Sequence, residues 1–253
     1  MNEQKTDDAV LLRIQNNIAE ITLNRPDKLN AIHMPLLEGL IEHLHSAAES
    51  KTVRVIVLRG AGRAFCAGAD RTEMIERSAR EWEYIVDRFL DPIRIISGTT
   101  KPVVAVIHGD AVGGGLGLAL ACDFRIASTK ARFCAPFIKL GLAGCDMAAG
   151  YFLPRLVGMG AAGDMMMTGR FVDAEEALQI RLIHRLAPPD ALEDAAAKLV
   201  SELASAPPIA MAMTKRAIRK SVDVDMNIRF CDVLSQATKT LPFPASFETA
   251  TRT

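Results

Sequence analysis

Val103-Val104-Ala105-Val106-Ile107-His108-Gly109-Asp110-Ala111-Val112-Gly113-Gly114-Gly115-Leu116-Gly117 is the stretch on which the fold turns. Its first five residues are apolar and mostly β-branched, without alternation, the pattern of a strand buried on both faces. Such strands belong to parallel sheets covered by helices, and a helix opening at Gly113-Gly114-Gly115 follows at once. Outward from here, Ile18–Leu23, Val53–Leu58 and Cys122–Ala127 are further strands. Leu36, Leu37, Leu40, Ile41 and Leu44 recur at helical spacing. Glu81–Ile96 predicts a helix that Pro92 kinks or restarts. After about residue 146 strand signals thin out. Asp173 is placed to cap a helix over Ala174–Ile180, and Pro188-Pro189 and Pro207-Pro208 punctuate two later helices. The class is α/β, with a helical C-terminal part.

Composition excludes several kinds of protein. Of 253 residues, 49% are hydrophobic and 24% charged, which a disordered chain would not show. Thirty Lys and Arg balance thirty Asp and Glu, leaving no net charge to grip nucleic acid. The apolar run Ala111–Cys122 is far shorter than the ~18 residues of a spanning helix, so no membrane partner is expected. Five cysteines without a Cys-x-x-Cys pair support neither a zinc site nor a disulfide framework. The polar, acidic N-terminus has no secretory or transit character, and a cytoplasmic location is expected.

The glycines match neither the Gly-x-Gly-x-x-Gly nor the P-loop spacing, and no Gly-x-Ser-x-Gly elbow occurs. His43 and His45, two apart on a helix, point to different faces and cannot share a metal; no metal is expected. His184 is assigned no role. Two glycine-rich segments remain, Gly60–Asp70 after one strand and His108–Gly117 after another. Small residues let a backbone approach a ligand, and helix-start N–H groups are unpaired and at the positive end of the dipole. Together they could aim two N–H donors at one carbonyl oxygen, an oxyanion hole, or they could be merely tight turns.

Ile21-Thr22-Leu23-Asn24-Arg25-Pro26-Asp27-Lys28-Leu29-Asn30-Ala31 and Ala64-Phe65-Cys66-Ala67-Gly68-Ala69-Asp70 occur in order with Gly113-Gly114-Gly115 and Cys122-Asp123. Leu153-Pro154-Arg155-Leu156-Val157-Gly158 and Thr168-Gly169-Arg170 complete the series. Over nearly its whole length the chain resembles the enoyl-CoA hydratase/isomerase (crotonase) superfamily. The resemblance implies a single domain over residues 1–253. A spiral of ββα units would fill about 1–200, and a helical trimerisation region about 201–253. It implies homotrimers that pair into hexamers, and an acyl-CoA substrate whose coenzyme A is part of the thioester, with no tightly bound cofactor. The oxyanion hole would be the N–H of Ala69 and of Gly114. The CoA moiety would lie along Ala67, Gly68, Ala69, Asp70 and Gly114, with Lys28 as a phosphate contact. Asp70 is expected to order its loop.

Two departures from the family pattern matter. Its hydratases carry one glutamate two residues after the triple glycine, where this chain has Gly117. They carry another after a Phe-x-x-Pro pattern, where Phe133-Cys134-Ala135-Pro136 leads into Phe137. Addition of water needs a base and an acid, so the usual route lacks its parts. Asp146 stands eight residues before Pro154, the distance at which the family's aspartate-dependent isomerases place theirs, although one residue more follows Gly141. It is a candidate proton shuttle amid Phe137, Leu140, Leu142, Met147 and Phe152, or else the N-cap of a helix starting at Met147. Double-bond isomerisation through an enolate is therefore the leading expectation. A hydratase or other CoA-ester lyase with a modified mechanism, improvable by Gly117→Glu, and a non-catalytic CoA-ester binder are the alternatives. Trp82, Tyr84, Phe89 and Met165-Met166-Met167 are candidates for an acyl pocket or for plain core. Ile209, Met211, Met213, Ile218 and Val233-Leu234 are apolar residues for a subunit interface.

Overall fold

A computed structural model of the chain describes residues 8–70, 72 and 79–220. Two compact units are distinguished, Met1–Ala206 and Pro207–Thr253. In the first, β1 (Val10–Gln15) and β2 (Ile18–Leu23) form an antiparallel hairpin at one edge of a six-stranded sheet. The sheet continues in parallel through β3 (Val55–Gly60), β4 (Val103–Ile107), β6 (Phe124–Ser128) and β9 (Arg185–Ala187), in the order β1-β2-β3-β4-β6-β9. A small second sheet joins β5 (Ala111–Val112), β7 (Arg132–Cys134) and β8 (Phe171–Asp173).

The period-two geometry of a strand explains the unbroken apolar run of β4. Val55, Val57, Val104, Val106 and Ile126 face α6 (Leu192–Ser205), which answers with Leu192, Ala196, Leu199 and Val200. Their neighbours Ile56, Leu58, Val103, Ala105 and Ile107 enter the larger core on the opposite side. There they join the buried stripe Leu36, Leu37, Leu40, Ile41 and Leu44 of α1 (Met34–Glu49). α2 (Ala79–Gly98) runs on through Pro92 and does not restart there. Its core-facing Ile93 and Ile96, buried by tertiary packing, outweigh the missing N–H of the proline.

Helix α3 (Gly114–Ala121) is buried at every residue, and its ends are built differently. Gly113 precedes it as N-cap, with no side chain over the first N–H groups. At the other end the buried Arg125 guanidinium donates from Nη1 to the carbonyls of Cys122 (2.7 Å), Ala119 (3.2 Å) and Leu120 (3.4 Å), and from Nε to Leu182 (2.7 Å). A cation on these carbonyls complements the negative end of the helix and anchors α3. His184, given no role from sequence, accepts the Arg125 backbone N–H through Nδ1, and burial beside that cation lowers its pKa to about 4.

α4 (Ala149–Thr168) begins later than the sequence suggests, with Ala148 as its N-cap. Met147 and Ala148 take left-handed conformations (φ 49° and 60°), which delay the helix. Asp146 therefore is not its N-cap; its Oδ1 accepts the N–H of Met147 (2.7 Å). Asp173 does cap α5 (Ala174–Gln179), accepting the Glu176 N–H (2.8 Å). The second unit contains α7 (Pro208–Lys220), on which Ile209 and Ile218 are exposed. Val233-Leu234 lies outside the described residues. No helix among the described residues is long and apolar enough to cross a membrane.

Candidate active site

The site is assembled where the two glycine-rich segments run side by side. Isolated parallel bridges join Cys66 to Ala111 and Ile32 to Ala69. They weave the segment after β3 between the one after β4 and the turn at Leu29–Ile32. Asn30 is the rivet. Fully buried at φ 56°, a conformation Asn tolerates better than most residues, it donates from Nδ2 to the carbonyls of Ala61 (2.8 Å), Ala64 (2.8 Å) and Phe65 (3.2 Å). Its Oδ1 accepts the Arg25 N–H (2.8 Å). Sequence inspection assigned Asn30 no task. The signal was an Asn in a turn, but its partners lie more than thirty residues away. Asn30→Ala is expected to lower stability by about 2–3 kcal/mol, because buried acceptors lose their donor. Denaturant unfolding of wild type and variant measures it.

Asp70 closes the same loop. It is ion-paired with Arg25 and accepts from the Thr72 N–H (3.0 Å) and Oγ1 (2.8 Å). The Arg25 hydrogen bond, helped by Thr72, holds its carboxyl well below the usual range. A carboxylate held this firmly in its charged form orders the loop and is a poor proton shuttle. Cys66, beneath the loop, is fully buried with its pKa pushed up to about 12, so its thiol stays protonated near neutrality.

Peptide geometry decides where two N–H groups point. The Gly68 carbonyl accepts the Ile32 N–H (2.7 Å), and Asp70 N–H returns to Ile32 O (2.8 Å). Since the peptide is trans, the N–H of Ala69 points away from Ile32. Likewise the Gly113 carbonyl accepts the Gly117 N–H (3.0 Å) along α3, so the Gly114 N–H projects off the helix start. Among the described residues no backbone acceptor takes either N–H. The segments touch at Gly68 (φ 90°), where a β-carbon would fall 2.8 Å from Val112 O and 3.2 Å from Gly114 N.

Ala67, Gly68, Ala69, Asp70, Gly114 and Asp146 all line one cavity of about 290 Å³. Its other walls are apolar: Ile85, Val86 and Phe89 from α2, with Phe137, Leu140, Leu142 and Met147 opposite. Thus Asp146, despite the extra residue before it, reaches the cavity that holds the two N–H groups. Lys28 does not; it is exposed on the turn Pro26–Lys28, outside the cavity wall. Phe152 is buried in the core and is not part of the wall. Of the acyl-pocket candidates Phe89 lines the cavity, Met165 is core and Met167 is exposed, whereas the side chains of Trp82 and Tyr84 lie outside the described residues. A separate concavity is cationic, with Arg63, Lys130 and Arg132 around His108 and Asp110. Asp110 holds Arg132 in a two-pronged pair (2.8 and 2.7 Å). These cations are scattered in sequence, and no motif pointed to them.

The two glycine-rich segments and Asp146 thus meet at one cavity whose other described walls are largely apolar. No cluster of metal-ligating side chains is found among the described residues. A family model described as Enoyl-CoA hydratase/isomerase matches residues 13–247. The chain is 38% identical over 213 residues to a protein of Mycobacterium tuberculosis named "Probable enoyl-CoA hydratase", covering 81% of this chain and 75% of that one. It is 36% identical over 232 residues to the (E)-benzylidenesuccinyl-CoA hydratase of Thauera aromatica, covering 89% and 88%. The crystal structure of an enoyl-CoA hydratase from Mycobacterium smegmatis superposes with a TM-score of 0.88 at 33% identity, over 96% of this chain and 94% of that one. The chain belongs to the enoyl-CoA hydratase/isomerase family and has the crotonase fold.

Proposed function

We propose that the protein stabilises the enolate of an acyl-CoA thioester and moves a double bond by proton transfer. What supports this reading is the meeting of two outward-pointing N–H groups and the Asp146 carboxylate, oriented by the Met147 N–H, at one largely apolar cavity. The thioester oxygen accepts from Ala69 and Gly114. Negative charge developing on it in the transition state is met by preorganised donors, which makes the α-proton acidic. Asp146 takes the α-proton of a 3-enoyl thioester and returns it to the γ-carbon on the same face, leaving the 2-enoyl isomer. Atoms balance without water, redox partner or bound cofactor; coenzyme A enters only as part of the substrate. Gly117 and Phe137 supply no carboxylate for activating water. The names of the relatives favour one further reading, hydration of an enoyl-CoA by a modified mechanism.

The homotrimer or homohexamer, the helical C-terminal region as its interface, and a phosphate contact at Lys28 are part of the same proposal. Acetoacetyl-CoA, whose enolate resembles the intermediate, is expected to bind at least about tenfold more tightly than butyryl-CoA in calorimetry. Equal affinities would remove the oxyanion hole from the proposal. Product analysis with 2- and 3-enoyl-CoA substrates of several chain lengths then separates isomerisation from hydration.

A further inference from the structure

We infer that Met147 is the specificity-determining residue that keeps the cavity dry beside Gly114, and so selects proton transfer over addition of water. This rests on the enolate reading above. Two contacts fix Met147 from opposite directions. Its backbone lies against α3 at Gly117, where a β-carbon would come within 2.6 Å of the Met147 carbonyl oxygen and 3.2 Å of its Cβ. Its thioether methyl reaches the start of α3, 3.5 Å from where a β-carbon on Gly114 would stand. The apolar end of Met147 thus stands beside Gly114, the residue whose N–H would hold the thioester oxygen.

The backbone is bent to make this possible. Met147 and Ala148 are consecutive non-glycine residues at positive φ (49° and 60°). Such conformations persist where the surroundings over-determine them, and they recur at functional sites. The bend turns the Met147 side chain into the cavity, leaving it 8% exposed, and brings its N–H to Asp146 Oδ1. One residue therefore sets both the orientation of the carboxylate and the packing next to it.

A bound water needs two to four polar partners and room of its own. Around Met147 the walls are Phe89, Phe137, Leu140 and Leu142, and Asp70 is already committed to Arg25 and Thr72. With the thioester oxygen on the Ala69 and Gly114 N–H groups, Asp146 is, among the described residues of the wall, the carboxylate left to a water, and the Met147 thioether lines the same cavity. Truncation at Met147 opens room for about one water in the cavity that Asp146 also lines. That carboxylate would then draw a proton from water while the oxygen bonds C3 of a 2-enoyl thioester, and pass the same proton to C2 of the resulting enolate, giving the 3-hydroxyacyl thioester and restoring the carboxylate.

The test compares wild type with Met147→Ala and Met147→Leu, incubated with 2- and 3-butenoyl-CoA in H₂¹⁸O. Met147→Ala is expected to raise the ratio of ¹⁸O-labelled 3-hydroxybutyryl-CoA to isomerised product at least tenfold, and Met147→Leu to bring it back. A purely structural role would lower both products together and leave their ratio unchanged. If Met147→Ala does not fold, Met147→Gln asks the same question, since it keeps the length and offers water a hydrogen-bond partner. An unchanged ratio in a folded variant that still binds acetoacetyl-CoA overturns the inference about Met147. Failure of wild type itself to bind acetoacetyl-CoA would overturn the enolate reading instead.

Discussion

Asp146→Asn is expected to lose exchange of the substrate's α- and γ-protons with deuterated solvent, by ~10²–10⁴-fold, and still to bind acetoacetyl-CoA. The amide keeps the shape of the carboxylate, and its oxygen still accepts the Met147 N–H that orients Asp146. What disappears is the basic oxygen. Because α4 is capped at Ala148, the substitution touches no helix cap and the fold is expected to tolerate it. Activity and stability therefore separate, and proton exchange followed by mass spectrometry or NMR reads the first while thermal unfolding reads the second. Undiminished exchange in the folded variant would remove Asp146 from the mechanism and leave the oxyanion hole without a base.

Gly117→Glu is expected to destabilise the protein by more than about 4 kcal/mol and to yield no gain in hydration. From the sequence this change looks like restoring a lost carboxylate. The structure corrects that expectation, because the position has no room. A β-carbon at Gly117 would lie 2.6 Å from the Met147 carbonyl oxygen and 3.2 Å from Ile93 Cδ1. Neither the backbone of the Asp146–Ala148 bend nor α3, anchored by Arg125, can yield cheaply. The carboxylate would also be buried among apolar groups, adding a desolvation cost to the steric one. Soluble expression and unfolding of Gly117→Glu measure the effect, with Gly117→Ala separating the steric part. A stable Gly117→Glu protein with new hydratase activity would mean that the Met147 bend moves freely.

These two substitutions carry the same lesson from opposite directions. Gly117 and Phe137 are absences that a sequence displays, but whether an absence can be repaired depends on what fills the space. The Met147 backbone stands against Gly117, and the buried Phe137 ring comes within 3.8 Å of where a β-carbon on Gly113 would lie. The cavity is packed as an apolar one.

Much of the architecture was legible in the chain itself. β4 announces a sheet buried on both faces because five consecutive apolar residues have no solvent side to spare. The stripe of α1 follows from its 3.6-residue period, and the cap at Asp173 from local hydrogen bonding. Such features are determined by residues within a turn or two of each other. The short strands β5, β7, β8 and β9 were not legible, because two or three residues carry no periodicity and form only where a partner strand is presented. The uninterrupted course of α2 through Pro92 and the late start of α4 likewise came from packing, which outweighed local preference.

The candidate site divides in the same way. The glycines and small residues of Gly60–Asp70 and His108–Gly117 left open by themselves whether backbone approaches a ligand there or simply turns tightly. Only the tertiary structure decided which N–H groups face the cavity, because the direction of each depends on where the preceding carbonyl finds its partner, Ile32 for one and Gly117 for the other. It also brought Asp146 to the cavity, left Lys28 on the surface, and made Asn30 the joint between loops more than thirty residues apart. Residue type sets what a group can do and spacing sets its local shape; which groups meet depends on long-range pairing.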